Sequence, residues 1–225
     1  MKKIIGFAGK MRSGKGVAAG CLNAHYGYEY VEMADKLKEI CVELLGLKSV
    51  IDLNIYKNSN YEIYVLFNEV FCEKVAKLTN IPIGYIKENC LGKEITTVRQ
   101  LLQFLGTDVL RKYDPLWHIN HTIEKITKLI SEGKSVAIAD IRFPNEKLAI
   151  ESIGGEVYYI ERKDNYNNSE HSSENSLSIS DFDTEHIIYN DSPGNLDVFL
   201  YNVMDTLDKN YRYLFQKMIN DKNVN

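Results

Sequence analysis

Ile4-Ile5-Gly6-Phe7-Ala8-Gly9-Lys10-Met11-Arg12-Ser13-Gly14-Lys15 sets a short apolar run directly against a GxxxxGK pattern. No 3.6-residue period has room to develop before Gly9, so Lys3 to Ala8 reads as a buried strand. From Gly14 to about Tyr26 the pattern favours a helix, and Gly27 stops it. A GxxxxGK that leaves a strand and opens a helix reads as a phosphate loop rather than a chance glycine-rich turn. Its glycines let the backbone turn tightly and aim N–H groups inward, and the helix N-terminus adds partial positive charge. Lys15 is then the side chain that reaches the outer phosphates of a nucleotide. The pattern usually continues with Ser or Thr, which holds Mg²⁺, but here Gly16 and Val17 follow. The metal contact passes to Ser13 or to water, since Mg²⁺ keeps several waters.

Outward from the loop, apolar strands alternate with amphipathic helices. Tyr28 to Met33 reads as a second strand. Asp35 reads as the N-cap of a helix with Leu37, Ile40, Cys41, Leu44 and Leu45 on one face. Helices are predicted over Tyr61 to Leu78, Thr97 to Leu110 and Trp117 to Ser131. The apolar run Val136 to Ala139 predicts a buried parallel strand that delivers Asp140 at its end. Pro144 suits the first turn of a helix running to about Ile153, and Gly154-Gly155 breaks it. Val157 to Ile160 and Ile187 to Tyr189 read as strands, and Leu196 to Met218 as a closing helix. The polar stretch 163–183 reads as a mobile loop or lid. The stretch 47–95 carries no chemical motif and reads as an insertion over the acceptor site of one 225-residue domain. The alternation predicts a parallel sheet with helices on both faces, whose ligands bind at the carboxyl ends of the strands.

Composition limits the function. A net charge of −4 gives no basis for stable nucleic-acid binding through counterion release. No apolar run is long enough to span a membrane, and Ile4 to Ala8 is too short for a signal-peptide core. Cys21, Cys41, Cys72 and Cys90 contain no CxxC pair and read as reduced thiols of a cytoplasmic protein. Asp140 sits where a strand-end carboxylate can face a metal ion and a transferring phosphate. Arg142, two residues on, has the planar fork that suits bidentate phosphate binding. Arg99 and Gln103 lie four apart on one helix face.

Four blocks together resemble the bacteriophage-type deoxynucleoside monophosphate kinase family, a branch of the P-loop nucleotide kinases. They are GKMRSGK (Gly9 to Lys15), VRQLLQFLGTD (Val98 to Asp108), ADIRFPNE (Ala139 to Glu146) and HSSE (His171 to Glu174). MADKLKE, Met33 to Glu39, fits more loosely. The resemblance implies a three-layer P-loop kinase fold with a helical insertion and a lid. It also implies transfer of the γ-phosphate of ATP, with Mg²⁺, to a deoxynucleoside monophosphate. By matching position, Gly9, Arg12, Ser13, Gly14, Lys15, Gly16 and Val17 hold ATP, and Asn190 follows the last strand, where related kinases place adenine contacts. Lys36, Arg99, Gly106, Thr107 and Trp117 line the acceptor site, with Asp140, Arg142 and Glu146 beside it. Lys15, Arg12, Asp140 and Arg142 carry the catalysis, Asp140 faces the metal, and His171 and Glu174 lie in the lid. Gln100 stands where some members carry a second Arg. The resemblance leaves a homodimer open. Two other readings stay open at this point. One is a kinase of another small molecule, such as dephospho-coenzyme A or phosphomevalonate. The other is a nucleotide-binding switch without kinase activity, although no NKxD segment reads guanine.

Overall fold

The computed structural model describes residues 3–59, 61–162, 177–191 and 195–207. In chain order they form β1 (Ile4–Ala8), α1 (Lys15–Tyr26), β2 (Tyr28–Val31), α2 (Asp35–Leu45), α3 (Val50–Asn58), β3 (Val65–Leu66), α4 (Glu69–Thr79) and α5 (Ile83–Cys90). There follow β4 (Glu94–Ile95), α6 (Val98–Gln103), a π-helical segment (Phe104–Arg111), α7 (Trp117–Ser131), β5 (Ser135–Ile141), α8 (Pro144–Ser152), β6 (Glu156–Glu161), β7 (Ile187–Tyr189) and α9 (Leu196–Leu207). The chain divides into two compact units, one of Met1–Met33 with Ile123–Asn225, the other Ala34–Thr122. The stretch 47–95, read as an insertion within one domain, therefore falls inside a unit with wider bounds.

The first unit is built on a parallel sheet of order β2-β5-β1-β6-β7. β1 lies in the middle of it, and all five of its residues are buried. That is why this strand reads as a continuous apolar run instead of an alternation. Ala18 and Ala19 of α1 join Phe7, Ala137, Ile160, Phe199 and Val203 in one core. Small side chains on that helix face let it lie close to the sheet. β5 runs from Ser135 to Ile141, so Asp140 belongs to the strand itself rather than to the residue after it. Of the expected lid, 163–176 lies outside the described residues, and short 3₁₀ turns follow at Ile179–Asp181 and Thr184–His186. The closing helix is described over Leu196–Leu207, and the remainder of its expected span lies outside the described residues.

The second unit is helical, with a two-stranded antiparallel ribbon of β3 and β4. Its core gathers Leu37, Cys41, Leu53, Phe67, Cys72, Ile86, Leu101, Leu105 and Trp117. The helix expected over Tyr61 to Leu78 is corrected: β3 occupies Val65–Leu66, and the helix starts only at Glu69. Asn68 decides the start, because its side chain accepts the Phe71 N–H at 2.9 Å and caps the first turn. Phe67, just before it, instead donates its N–H to Lys93 O and accepts from Gly92 N–H. Asp35 is the first residue of α2 rather than its N-cap, which is Ala34. The helix expected over Thr97 to Leu110 begins as read, with Thr97 Oγ1 accepting the Gln100 N–H at 3.1 Å. It then changes at Phe104 into π-helical winding. No helix among the described residues is long and apolar enough to cross a membrane.

Candidate active site

The turn between β1 and α1 is shaped by three residues with positive φ. Gly9 has φ +138°, Arg12 +63° and Gly14 +117°. A Cβ on Gly9 would lie 2.5 Å from the Ile160 carbonyl oxygen, and one on Gly14 2.8 Å from the Phe199 ring. Both glycines are thus required by space as well as by torsion. Lys15, almost fully buried, donates from Nζ to the carbonyls of Gly9 (2.6 Å) and Lys10 (2.7 Å). These two bonds close the loop into a ring around its own backbone. Ser13 donates its N–H to Lys10 O at 3.2 Å. Its Oγ is buried with no hydrogen-bond partner among the described residues.

Two contacts tie this turn to the far end of the sheet. Asn190 Nδ2 donates to Ser13 O at 2.8 Å, while its own N–H donates to Glu161 O at 2.8 Å. Arg162 Nη1 donates to Arg12 O at 3.2 Å. Asn190, expected near adenine, thus carries a local link from the end of β7 to the phosphate loop. Arg162 escaped the sequence reading, although its place just after β6 obeys the same strand-end rule that found Asp140.

Asp140 lies level with the start of the loop, because β5 pairs with β1 in the register Ala8↔Ile141. Its Oδ1 accepts the Met33 N–H at 2.7 Å and so ties the turn after β2 to β5. Glu146 is 1% exposed, and its Oε2 accepts the N–H groups of Arg142 (2.8 Å) and Phe143 (3.2 Å). The carboxylate holds the backbone at the start of α8 and with it the Arg142 backbone. Gly16 and Val17 open α1 and are exposed.

The other expected acceptor residues belong to the second unit. Lys36 lies on α2 and pairs with Glu39 at 3.6 Å, an exposed pair of small energetic weight. Arg99 is exposed on α6, while Gly106 and Thr107 lie in the π-helical segment. His118 Nε2 donates to the Gly106 carbonyl at 3.0 Å. Trp117 is 6% exposed and meets the rings of His118 and His121 edge-on, the environment of a packed side chain. His171 and Glu174 lie outside the described residues.

All four cysteines are free, and Cys41, Cys72 and Cys90 are buried. Burial pushes the thiols of Cys41 and Cys90 up to about 12 and raises those of Cys72 and Cys21, which suits inert packing groups.

A five-stranded parallel sheet whose central strand runs into a GxxxxGK turn and a helix defines the class: this is a P-loop kinase fold, and the protein is a phosphate-transferring enzyme. The model of the deoxynucleotide monophosphate kinase family matches residues 47–201, and the chain belongs to that family. The match takes in the blocks at 98–108, 139–146 and 171–174, while the phosphate loop precedes it. A protein of Acanthamoeba polyphaga mimivirus, provisionally described as a deoxynucleotide monophosphate kinase, is 29% identical over 191 residues, covering 80% of this chain and 85% of its own.

Proposed function

We propose that the enzyme transfers the γ-phosphoryl group of ATP to a deoxynucleoside monophosphate in the cytoplasm. An acceptor phosphate oxygen attacks the γ-phosphorus, the bond to the β–γ bridging oxygen breaks, and ADP and a deoxynucleoside diphosphate leave. Membership of the family supports the reaction. The observation that carries the donor side is the loop of Gly9 to Lys15, whose buried lysine donates to two loop carbonyls and whose Gly9 and Gly14 leave no room for side chains.

Such a transfer needs positioning and charge neutralisation rather than a covalent intermediate. Lys15 exchanges its loop carbonyls for phosphate oxygens. Arg12 and Arg142 supply further positive charge. Lys36, Arg99, Gly106, Thr107 and Trp117 belong to the acceptor side of the reading, with Arg99 facing the acceptor phosphate. His171 and Glu174 belong to a lid that excludes water.

The oxygen donors at the loop suit Mg²⁺, a hard cation that keeps several waters. Ser13 Oγ is a buried oxygen without a partner among the described residues, and Asp140 has a second carboxylate oxygen beyond the one that accepts from Met33. When bound, Mg²⁺ offsets charge on the phosphates.

The test is a coupled ADP-release assay with ATP, Mg²⁺ and a panel of deoxynucleoside and ribonucleoside monophosphates. Dephospho-coenzyme A and phosphomevalonate serve as controls. Turnover with one or more deoxynucleoside monophosphates is expected. Turnover with a control alone moves the assignment to another small-molecule kinase. ATP binding without transfer to any acceptor makes the protein a nucleotide-binding switch.

A further inference from the structure

The carbonyl of Ser13 stops one residue short of the helix. Ala18 donates to Gly14 O at 3.0 Å, the first bond of α1, and no backbone N–H among the described residues reaches Ser13 O. The Ser13 side chain does not anchor the residue either, since its Oγ is buried without a partner among the described residues. The amide of Asn190 fills the gap, with Nδ2 donating to Ser13 O at 2.8 Å. Asn190 is buried, and its N–H continues the pairing of β7 with β6 by donating to Glu161 O at 2.8 Å. Asn202 of α9 holds the preceding carbonyl, Tyr189 O, at 3.0 Å. A carbonyl needs a donor opposite it, so an asparagine serves here where an ionised aspartate would not. Arg162 holds the neighbouring loop carbonyl, Arg12 O, at 3.2 Å.

A trans peptide sets its C=O and N–H on opposite sides of one plane. With Ser13 O turned to Asn190, the N–H of the same peptide, that of Gly14, points the other way. That N–H has no partner among the described residues, and Gly14, the N-cap of α1, brings no side chain to occupy the first turn. Glycine by itself leaves such a peptide free to turn over, so its orientation has to be imposed from outside. We propose that Asn190 is a positioning residue for the donor triphosphate. By holding Ser13 O it keeps the Gly14 N–H aimed at the phosphates, and it does so without touching the base. The inference rests on the reading of the loop as the ATP site.

Calorimetric titration of the full-length protein with ATP and with inorganic tripolyphosphate, both in EDTA, separates a role toward the phosphates from a role toward the base. The wild type should bind both ligands. Asn190→Ala should weaken both by the same factor, about three- to tenfold, the net worth of one hydrogen bond. Asn190→Leu, which keeps a branched side chain in the buried position, should do the same and tests the inference should Asn190→Ala not fold. A loss confined to ATP would make Asn190 a base contact. Unchanged affinities for both ligands, even with a lower melting temperature, would make it a structural prop alone. Either result overturns the inference and leaves the kinase reading standing, as does a wild type that binds ATP but not tripolyphosphate. A wild type that binds neither ligand overturns both.

Discussion

Lys15 holds two carbonyls of its own loop, at 2.6 and 2.7 Å, and under the proposed reaction a triphosphate displaces them. Anionic oxygens are the stronger acceptors, so the exchange is favourable once ATP is in place. Lys15→Ala should lower turnover about 100-fold or more, the scale of losing one charge-stabilising donor. Near-normal turnover in a coupled assay would remove Lys15 from the mechanism. The glycines carry a different requirement. Gly14→Ala forces a side chain into φ +117° and against the Phe199 ring, and should destabilise the fold by about 1–3 kcal/mol. A denaturant midpoint equal to that of the wild type would show that the turn relaxes. At this scale the sequence was readable where the constraint is local. Glycine spacing, lysine and helix start all lie within seven residues of one another. The contact from Asn190 to Ser13 spans 177 positions, and no pattern along the chain announces it.

Elements were legible in proportion to how much of their pattern comes from one sheet or one helix face. β1, β5 and β6 are buried on both sides and stand out as apolar runs. The second unit resisted because its elements are short: β3 and β4 hold two residues each, and α3 hides between polar stretches. The π-helical winding after Gln103 was not legible, since an apolar face continues through it. Its carbonyl at Gly106 is held by His118, a buried residue beyond the segment in the chain. His118→Ala removes that hydrogen bond and an edge contact with Trp117, and should cost about 1–3 kcal/mol. Thermal denaturation reads it, as a fall of roughly 2–10 °C for a chain of this size. The start of α8 offers a sharper separation of roles. Glu146→Ala leaves the Arg142 and Phe143 amides without their carboxylate and should cost about 2 kcal/mol. Glu146→Gln keeps an acceptor oxygen and should retain most of that stability. If Glu146→Gln melts near the wild-type temperature yet loses turnover, the charge of Glu146 acts on the reaction as well as on the helix start.

Two cores in one chain give the molecule two internal reporters. Cys41, Cys72 and Cys90 lie in the core of the unit Ala34–Thr122, while Cys21 lies on α1 of the unit with the sheet. Desolvation pushes the thiols of Cys41 and Cys90 up to about 12. A raised folded value means the native state holds the proton more tightly. The contribution of these thiols is whole below about pH 9 and is lost as pH rises toward 12, so the second unit should weaken across that window. Below it, the buried thiols should resist alkylation until their unit opens. Pulse labelling with iodoacetamide along a urea gradient at pH 8, followed by peptide mapping, then follows each unit separately. Cys41, Cys72 and Cys90 should become labelled together. A ligand that binds only the folded form of one unit stabilises it by about 2.7 kcal/mol at a hundredfold excess over its dissociation constant. ATP with Mg²⁺ should therefore shift the Cys21 midpoint, because the phosphate loop leads into α1. A deoxynucleoside monophosphate should shift the three cysteines of the second unit, where Arg99 and Thr107 lie. If the monophosphate moved only Cys21, the acceptor role assigned to Arg99 and Thr107 would be wrong, and the second unit would need another explanation.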